Sequence, residues 1–385
     1  MRSYKVGRIM GIDIKIHLSL LVLLPLLAWL ISREQQITIW TDIISGFYPH
    51  TLTTEPLLSG NAPLIIGGVA AVGLFAGVTV HELGHSWVAR RYGLTISSIT
   101  LWIFGGMANM DENPKEWNVE FWMALAGPVT SVVISGVFMG VLQLLPASTP
   151  PVAVFVVGWL AMMNLALAIF NMLPAFPMDG GRVFRALLAR SRPYVEATQI
   201  AAGVGKFFAV GMGILGVLSF NPLLVLIALF VYVAATSESR MAVVSDLLQD
   251  VKVSDLMTTE VKTVPRDISV NDLANRMLTQ RHTGYPVVDG TGSVVGIVTL
   301  TDIKEVDEVE RDAYTAGDIM THDVITVEPE DDAFEVLRTI GQNDIGRVLV
   351  ETDGEVVGIL SRTDLVTALE VLQGGGMQRR SMPQV

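Results

Sequence analysis

Long, nearly uncharged apolar runs, confined to residues 1–240, restrict the fold of this chain more than any other feature. A bilayer core about 30 Å thick is crossed by a helix of roughly 20 apolar residues. Six segments meet or approach that length: 18–32, 62–89, 119–146, 152–172, 200–219 and 222–236. Charged residues make up 17% of the 385, and mean hydropathy is +0.50. An average soluble protein carries about 25% charged residues. The expected fold is therefore a polytopic α-helical membrane domain of about six transmembrane helices. A soluble α+β part follows it.

Charge divides along the same line. Residues 1–240 hold 14 basic and 12 acidic side chains, whereas residues 241–385 hold 12 and 26. The acidity thus belongs to the soluble part, which has no basic patch for a nucleic-acid partner. The absence of cysteine excludes disulfides, thiolate metal sites and a cysteine nucleophile. Ile31-Ser32-Arg33-Glu34 offers no small-residue cleavage site after the first apolar run, so that run is expected to stay as a membrane helix.

Basic residues orient the helices. Arg2, Lys5, Arg8 and Lys15 precede the first; Arg90 and Arg91 close the second; Arg182, Arg185, Arg190 and Arg192 lie between the fourth and fifth. Six alternating helices put all three clusters on one side, which the positive-inside rule makes cytosolic. The N-terminus and the soluble part then share that side, and the loop 33–61 faces the other. Thr95–Met110, apolar, rich in β-formers and broken by Gly105-Gly106, is too short to span and is expected as a re-entrant hairpin.

The soluble part repeats itself. Gly296-Ile-Val-Thr-Leu-Thr-Asp302 aligns with Gly358-Ile-Leu-Ser-Arg-Thr-Asp364, and Ser254-Asp-Leu-Met257 with Gly317-Asp-Ile-Met320. Two β-α-β-β-α units over 251–310 and 314–372 are expected to form one module, because each alone would leave an apolar sheet face uncovered. Residues 373–385 are expected to be a disordered tail.

The chemistry centres on His81-Glu82-Leu83-Gly84-His85 at the end of an apolar helix. Histidines four apart share one helix face, so one zinc can take both, and Glu82 beside them can accept a proton from water. Three ionisable residues within five positions of a membrane helix mark a functional site by default. An open catalytic zinc site needs a third protein ligand. Asp179 in Asn171-Met-Leu-Pro-Ala-Phe-Pro-Met-Asp-Gly-Gly181 is the best candidate: Pro174 and Pro177 break the fourth helix, and Gly180-Gly181 permit a tight turn. Its alternative role is to cap the helix that follows. His17 near the first helix is a further candidate ligand, or an interfacial hydrogen-bonding residue.

The chain resembles the site-2 protease family of intramembrane zinc metalloproteases, in the subgroup with a C-terminal pair of CBS domains. HELGH matches the family's first motif, and NMLPAFPMDGG its Asn-x-x-Pro-x-x-Pro-x-Asp-Gly motif. Gly127-Pro-Val-Thr-Ser131 fits a Gly-x-x-x-Asn/Ser/Gly element of the third helix, with Ser131 standing where many members have Asn. The resemblance implies one zinc ion held by His81, His85 and Asp179, Glu82 as general base, and Asn171 as a donor to the scissile carbonyl or a cap of the fourth helix. The substrates it implies are transmembrane proteins within the lipid bilayer. In the CBS pair it implies adenine nucleotide contacts at Thr299, Asp302, Ser361 and Asp364, four residues that could equally be helix caps. A CBS pair also fits a homodimer. A CBS-regulated channel or transporter with an incidental HExxH is the alternative from another class, and a soluble zincin tethered to a membrane is a third.

Overall fold

The computed structural model describes residues 3–103, 105–110 and 116–379 and divides into two compact units, Met1–Ala242 and Val243–Val385. The first unit opens with a hairpin, β1 (Ser3–Ile9) and β2 (Ile12–His17), followed by the helices α1 (Leu18–Ile31), α2 (Glu34–Ser45), α3 (Glu55–Leu58) and α4 (Ala62–Arg91). A second hairpin, β3 (Ile96–Trp102) and β4 (Gly105–Met110), leads into α5 (Trp117–Leu144) and α6 (Pro151–Asn171). The short α7 (Asp179–Ala189) and the long α8 (Tyr194–Leu218) and α9 (Pro222–Leu247) complete it.

Five of these helices are long and apolar enough to cross a membrane: α4, α5, α6, α8 and α9. The segment 18–32, expected as a spanning helix, is too short alone; α1 and α2 meet at a 70° bend and together make at most one broken span. The loop expected over 33–61 is instead largely helical. Ile37, Thr41 and Ile44 form a buried stripe on α2, which packs where α6 has Gly158 and Trp159. Large aliphatic side chains such as Val133, Val137, Leu144 and Leu218 face outward on the long helices. That is unfavourable in water and natural in lipid.

The hairpin expected over Thr95–Met110 is present but belongs to a larger sheet. The order is β1-β2-β3-β4, with β2 and β3 parallel and the other pairs antiparallel. Ile12, Ile14, Ile99 and Leu101 pack with Val78 and Ala89 of α4. The sheet is thereby fixed against the helix that carries HELGH, and β4 is left at its edge.

The second unit holds two similar halves. In the first, α10 (Val253–Leu256), β5 (Val264–Pro265), α11 (Val270–Gln280), β6 (Gly284–Val288), β7 (Val294–Thr299) and α12 (Leu300–Lys304) form a sheet ordered β5-β6-β7. The second repeats this with α13 (Ala316–Ile319), β8 (Thr326–Val327), α14 (Ala333–Gln342), β9 (Arg347–Thr352), β10 (Glu355–Ser361) and α15 (Arg362–Arg379). The halves interlock: Thr258 bridges to Ile359 and Thr321 to Ile297, so each half lends a segment to the other's last strand. Arg347 adds hydrogen bonds of 2.8 Å to Gly284 O and to Thr283 Oγ1.

Two helices outrun the sequence expectation. The last span, expected to end at 236, continues to Leu247 because Val244 and Leu248 enter the apolar core of the second unit. The tail expected from 373 is helical through Arg379, continuing α15, whose Leu365, Leu369 and Leu372 pack on the same core. Elongating a nucleated helix needs only one further backbone bond per residue. The rest of that tail, 380–385, lies outside the described residues.

Candidate metal centre

His81 and His85 occupy one face of α4, with ring centroids 4.8 Å apart. The helix can bring them to the bundle interior because α4 and α5 approach very closely. A Cβ on Gly84 would stand 2.3 Å from Thr130 Oγ1, and one on Gly127 would stand 2.2 Å from His85 Nε2. Glycine at both positions is thus a steric requirement of the site.

Asp179 arrives from the opposite side. After α6 ends at Asn171, the segment Leu173–Met178 folds back and buries Ala175, Phe176 and Met178 against small residues of α8 and α9, among them Ala201, Ala209 and Ala235. A Cβ on Gly180 would meet Met172 and Leu173 backbone at 2.4 Å, so this return is as tight as a chain allows. Asp179 then begins α7. Its alternative capping role is not what is observed, because Met178 is the N-cap residue and makes no side-chain cap. The carboxylate points to the histidines instead, with Oδ2 3.1 Å from His81 Nε2 and 3.2 Å from His85 Nε2. The two Nε2 atoms are 3.2 Å apart.

This near-equilateral triangle fits a zinc ion. Ligand atoms about 2.05 Å from zinc in tetrahedral directions stand about 3.3 Å from one another. The other ring nitrogens are already engaged. His85 Nδ1 lies 2.7 Å from Met123 O, a group that can only accept, so Nδ1 carries the hydrogen and the Nε2 lone pair is left for metal. His81 Nδ1 lies 2.9 Å from Ser131 Oγ, wholly buried. Among the described residues, His81, His85 and Asp179 are the one cluster of three such side chains with metal-binding spacing.

Glu82 is half-buried at the rim, against the edge strand. A Cβ on Gly106 would stand 2.3 Å from Glu82 Cγ and 2.9 Å from Oε1. The residue that can take a proton from water therefore lies directly beside the edge of β4. Asn171, half-buried at the end of α6, makes no side-chain hydrogen bond among the described residues and is not joined to the metal cluster. His17 is not brought to the site; its Nδ1 accepts from Ser19 N and caps α1.

Depth follows from the aromatic anchors. Arg91 stacks over Trp87 at 5.2 Å and Arg190 over Trp117 at 5.6 Å, pairs suited to a membrane–water interface. From Arg91 to His85 the helix rises about 9 Å and to His81 about 15 Å. His85 and His81 thus lie about two and three turns in from the arginine-bearing end of a helix long and apolar enough to cross a membrane.

In the second unit, Thr299 N and Oγ1 both donate to Asp302 Oδ2, at 2.7 and 2.8 Å, and Ser361 N and Oγ donate to Asp364 Oδ2 at 2.9 and 2.6 Å. All four residues act as helix caps, one oxygen of each carboxylate being used.

Two contacts were not predicted from the sequence. Ser131 positions His81, and the buried Arg185 joins Glu120 to Glu238. The signal for the second was present: a glutamate within a membrane-spanning helix is expensive unless it has a partner.

An apolar helical unit with two histidines and an aspartate converging on one point is the arrangement of a metal hydrolase in a polytopic helical unit, and an interlocked repeat follows it. Comparisons with known proteins agree. Residues 69–151 and 151–212 match Peptidase family M50, and residues 253–308 and 316–371 match the CBS domain. The chain is 33% identical over 371 residues to a zinc metalloprotease of Methanocaldococcus jannaschii, spanning 96% of this chain and 97% of that protein. It also resembles the solved site-2 protease from M. jannaschii, with 35% identity and a TM-score of 0.42 over 62% of this chain and 95% of that one. The CBS domain of a membrane protein from Sphaerobacter thermophilus is 28% identical, with a TM-score of 0.29 over 34% of this chain and 96% of that one. The chain belongs to Peptidase family M50, the site-2 protease family of zinc metalloproteases, with tandem CBS domains at its C-terminal end. A channel with an incidental HELGH is thereby set aside.

Proposed function

We propose that this protein is an intramembrane protease that cuts transmembrane segments of other proteins near the cytosolic face, with zinc held by His81, His85 and Asp179. The observation that carries this reading is the triangle of 3.1–3.2 Å formed by the three ligand atoms. A zinc ion bound there supplies Lewis acidity, acidifying water to a pKa of about 7 and polarising a carbonyl. Glu82 takes the proton of the attacking water and returns it to the leaving amine. Asn171, whose amide makes no hydrogen bond among the described residues, donates to the scissile carbonyl or the oxyanion.

A peptide bond inside a helix is shielded, so the substrate has to unwind locally. The edge of β4 beside Glu82 suits an added strand, in which backbone hydrogen bonds hold the extended segment at the site. The basic clusters support a cytosolic N-terminus, site face and CBS pair in a multi-pass protein of the cell membrane. The CBS pair binds an adenine nucleotide that modulates cleavage, with the carboxylate oxygens of Asp302 and Asp364 that lie outside the caps on the ribose and Thr299 and Ser361 near the phosphates. Two chains associate through the same domains. The deciding experiment compares Glu82→Gln with the parent protein in proteoliposomes carrying a membrane-spanning reporter. Cleavage lost with zinc retained is expected; undiminished cleavage refutes the reading.

A further inference from the structure

One buried ionic network remains outside the chemistry described so far. Arg185 lies on α7, six residues after Asp179, and is 5% exposed. Its Nε donates to Glu120 Oε1 of α5 at 2.7 Å, and its Nη2 reaches the same oxygen. Glu120 is itself 3% exposed. Arg185 Nη1 donates to Glu238 Oε1 of α9 at 2.7 Å. The guanidinium also lies 4.9 Å from the ring of Phe176 and 4.8 Å from that of Tyr194. Groups from α5, α8, α9 and the loop before α7 therefore converge on one side chain.

Stability alone does not explain such a network, because packed apolar residues commonly serve a buried site as well as an ion pair does. A planar, forked cation does provide fixed direction. Helix α7 is short, and its first residue is Asp179, without a side-chain cap to anchor it. Any slide or rotation of α7 passes straight to the carboxylate, where misplacement of about 1 Å is enough to spoil a catalytic geometry.

We infer that Arg185 is a positioning residue, which sets the carboxylate of Asp179 against His81 and His85 through α7, and that Glu238 makes this setting depend on α9. The loop residues Phe176 and Met178 pack on Ala235 and Val231 of the same helix, so α9 holds both the approach to Asp179 and the helix behind it. Helix α9 continues beyond Glu238 to Leu247, from the first unit into the second. The inference rests on the reading of Asp179 as a zinc ligand.

The test measures zinc affinity of the full-length protein in detergent by chelator competition, separately from cleavage. Arg185→Gln alone strands Glu120 as a buried unpaired charge, so the principal variant is Glu120→Gln/Arg185→Gln. It is expected to fold, to bind zinc about tenfold more weakly, and to lose kcat more than KM. Glu238→Gln, altering the more exposed partner, is expected to weaken zinc several-fold, and Arg185→Lys to recover part of the loss. Wild-type zinc affinity in the folded double variant overturns the inference. Should the double variant not fold, Glu238→Gln decides: unchanged zinc affinity, or loss of folding there too, overturns it equally. Asp179→Asn separates the two levels. If that variant keeps full zinc affinity, the ligand assignment fails; if it loses zinc while the network variants do not, only the positioning role fails.

Discussion

His81 and Ser131 form a buried hydrogen bond of 2.9 Å between Nδ1 and Oγ, one residue on α4 and the other on α5. The bond turns the His81 ring so that Nε2 faces Asp179 and His85. Groups in this position fix ring orientation and tautomer, and their loss typically weakens metal binding about 10–100-fold. Ser131→Ala is expected to fold normally and to bind zinc at least about tenfold more weakly, read by chelator competition. Cleavage should recover at high zinc. An affinity equal to that of the parent protein would mean the ring is held by packing alone.

Two glycines separate metal binding from proton transfer. Alanine at Gly127 puts a methyl 2.2 Å from His85 Nε2 and 2.6 Å from His81 Nε2, both rings being held by their other nitrogens. Alanine at Gly106 meets the flexible side chain of Glu82 instead. Gly127→Ala should therefore purify with little zinc, whereas Gly106→Ala should keep its zinc and lose turnover. Zinc content by atomic absorption, beside reporter cleavage, checks the contrast. Equal zinc in both proteins would show that α4 and α5 separate to admit the methyl group.

Much of this site was legible in the sequence because its chemistry is local. HELGH places two candidate ligands and a candidate base by helix period alone, and the prolines and glycines around Asp179 announce a chain return. The sheet was harder. Ile12 and Ile14 alternate with Asp13 and Lys15, the period of a half-buried strand, yet the basic residues there drew attention to topology instead. The parallel pairing of Ile14 with Ile99 joins segments 85 residues apart, and no local pattern encodes it. Ser131 was visible as a motif position, but its partner His81 depends on the closeness of two helices. Glu120 falls inside a spanning segment by hydropathy, and the cation its carboxylate requires, Arg185, comes from a helix 65 residues further on.

The edge of β4 yields a prediction about substrate rather than metal. Met107 sits opposite Thr100 in the β3–β4 ladder, one residue from the glycine that faces Glu82. Proline there removes a backbone donor and fixes φ, which disfavours strand pairing. Met107→Pro is expected to cut reporter cleavage by at least about tenfold while leaving zinc content unchanged. Full turnover by that variant would show that the substrate is not held as an added strand.

The caps of the CBS pair allow binding and stability to be read apart. Each of Asp302 and Asp364 accepts two hydrogen bonds from its own turn through Oδ2, so replacing either removes a cap worth about 1 kcal/mol. A ribose contact would use the other oxygen. Alanine at both positions is thus expected to lower the melting temperature of the second unit modestly whether or not a nucleotide binds. If nucleotide modulates cleavage, ATP or AMP should shift reporter turnover by the parent protein, and the Asp302→Ala/Asp364→Ala variant should be insensitive at temperatures where it remains folded. Asparagine at both positions keeps an acceptor for each cap, so it should restore most of the stability without restoring a charged contact. A nucleotide response that survives in both variants would place the binding groups elsewhere in the CBS pair and reduce the two aspartates to caps.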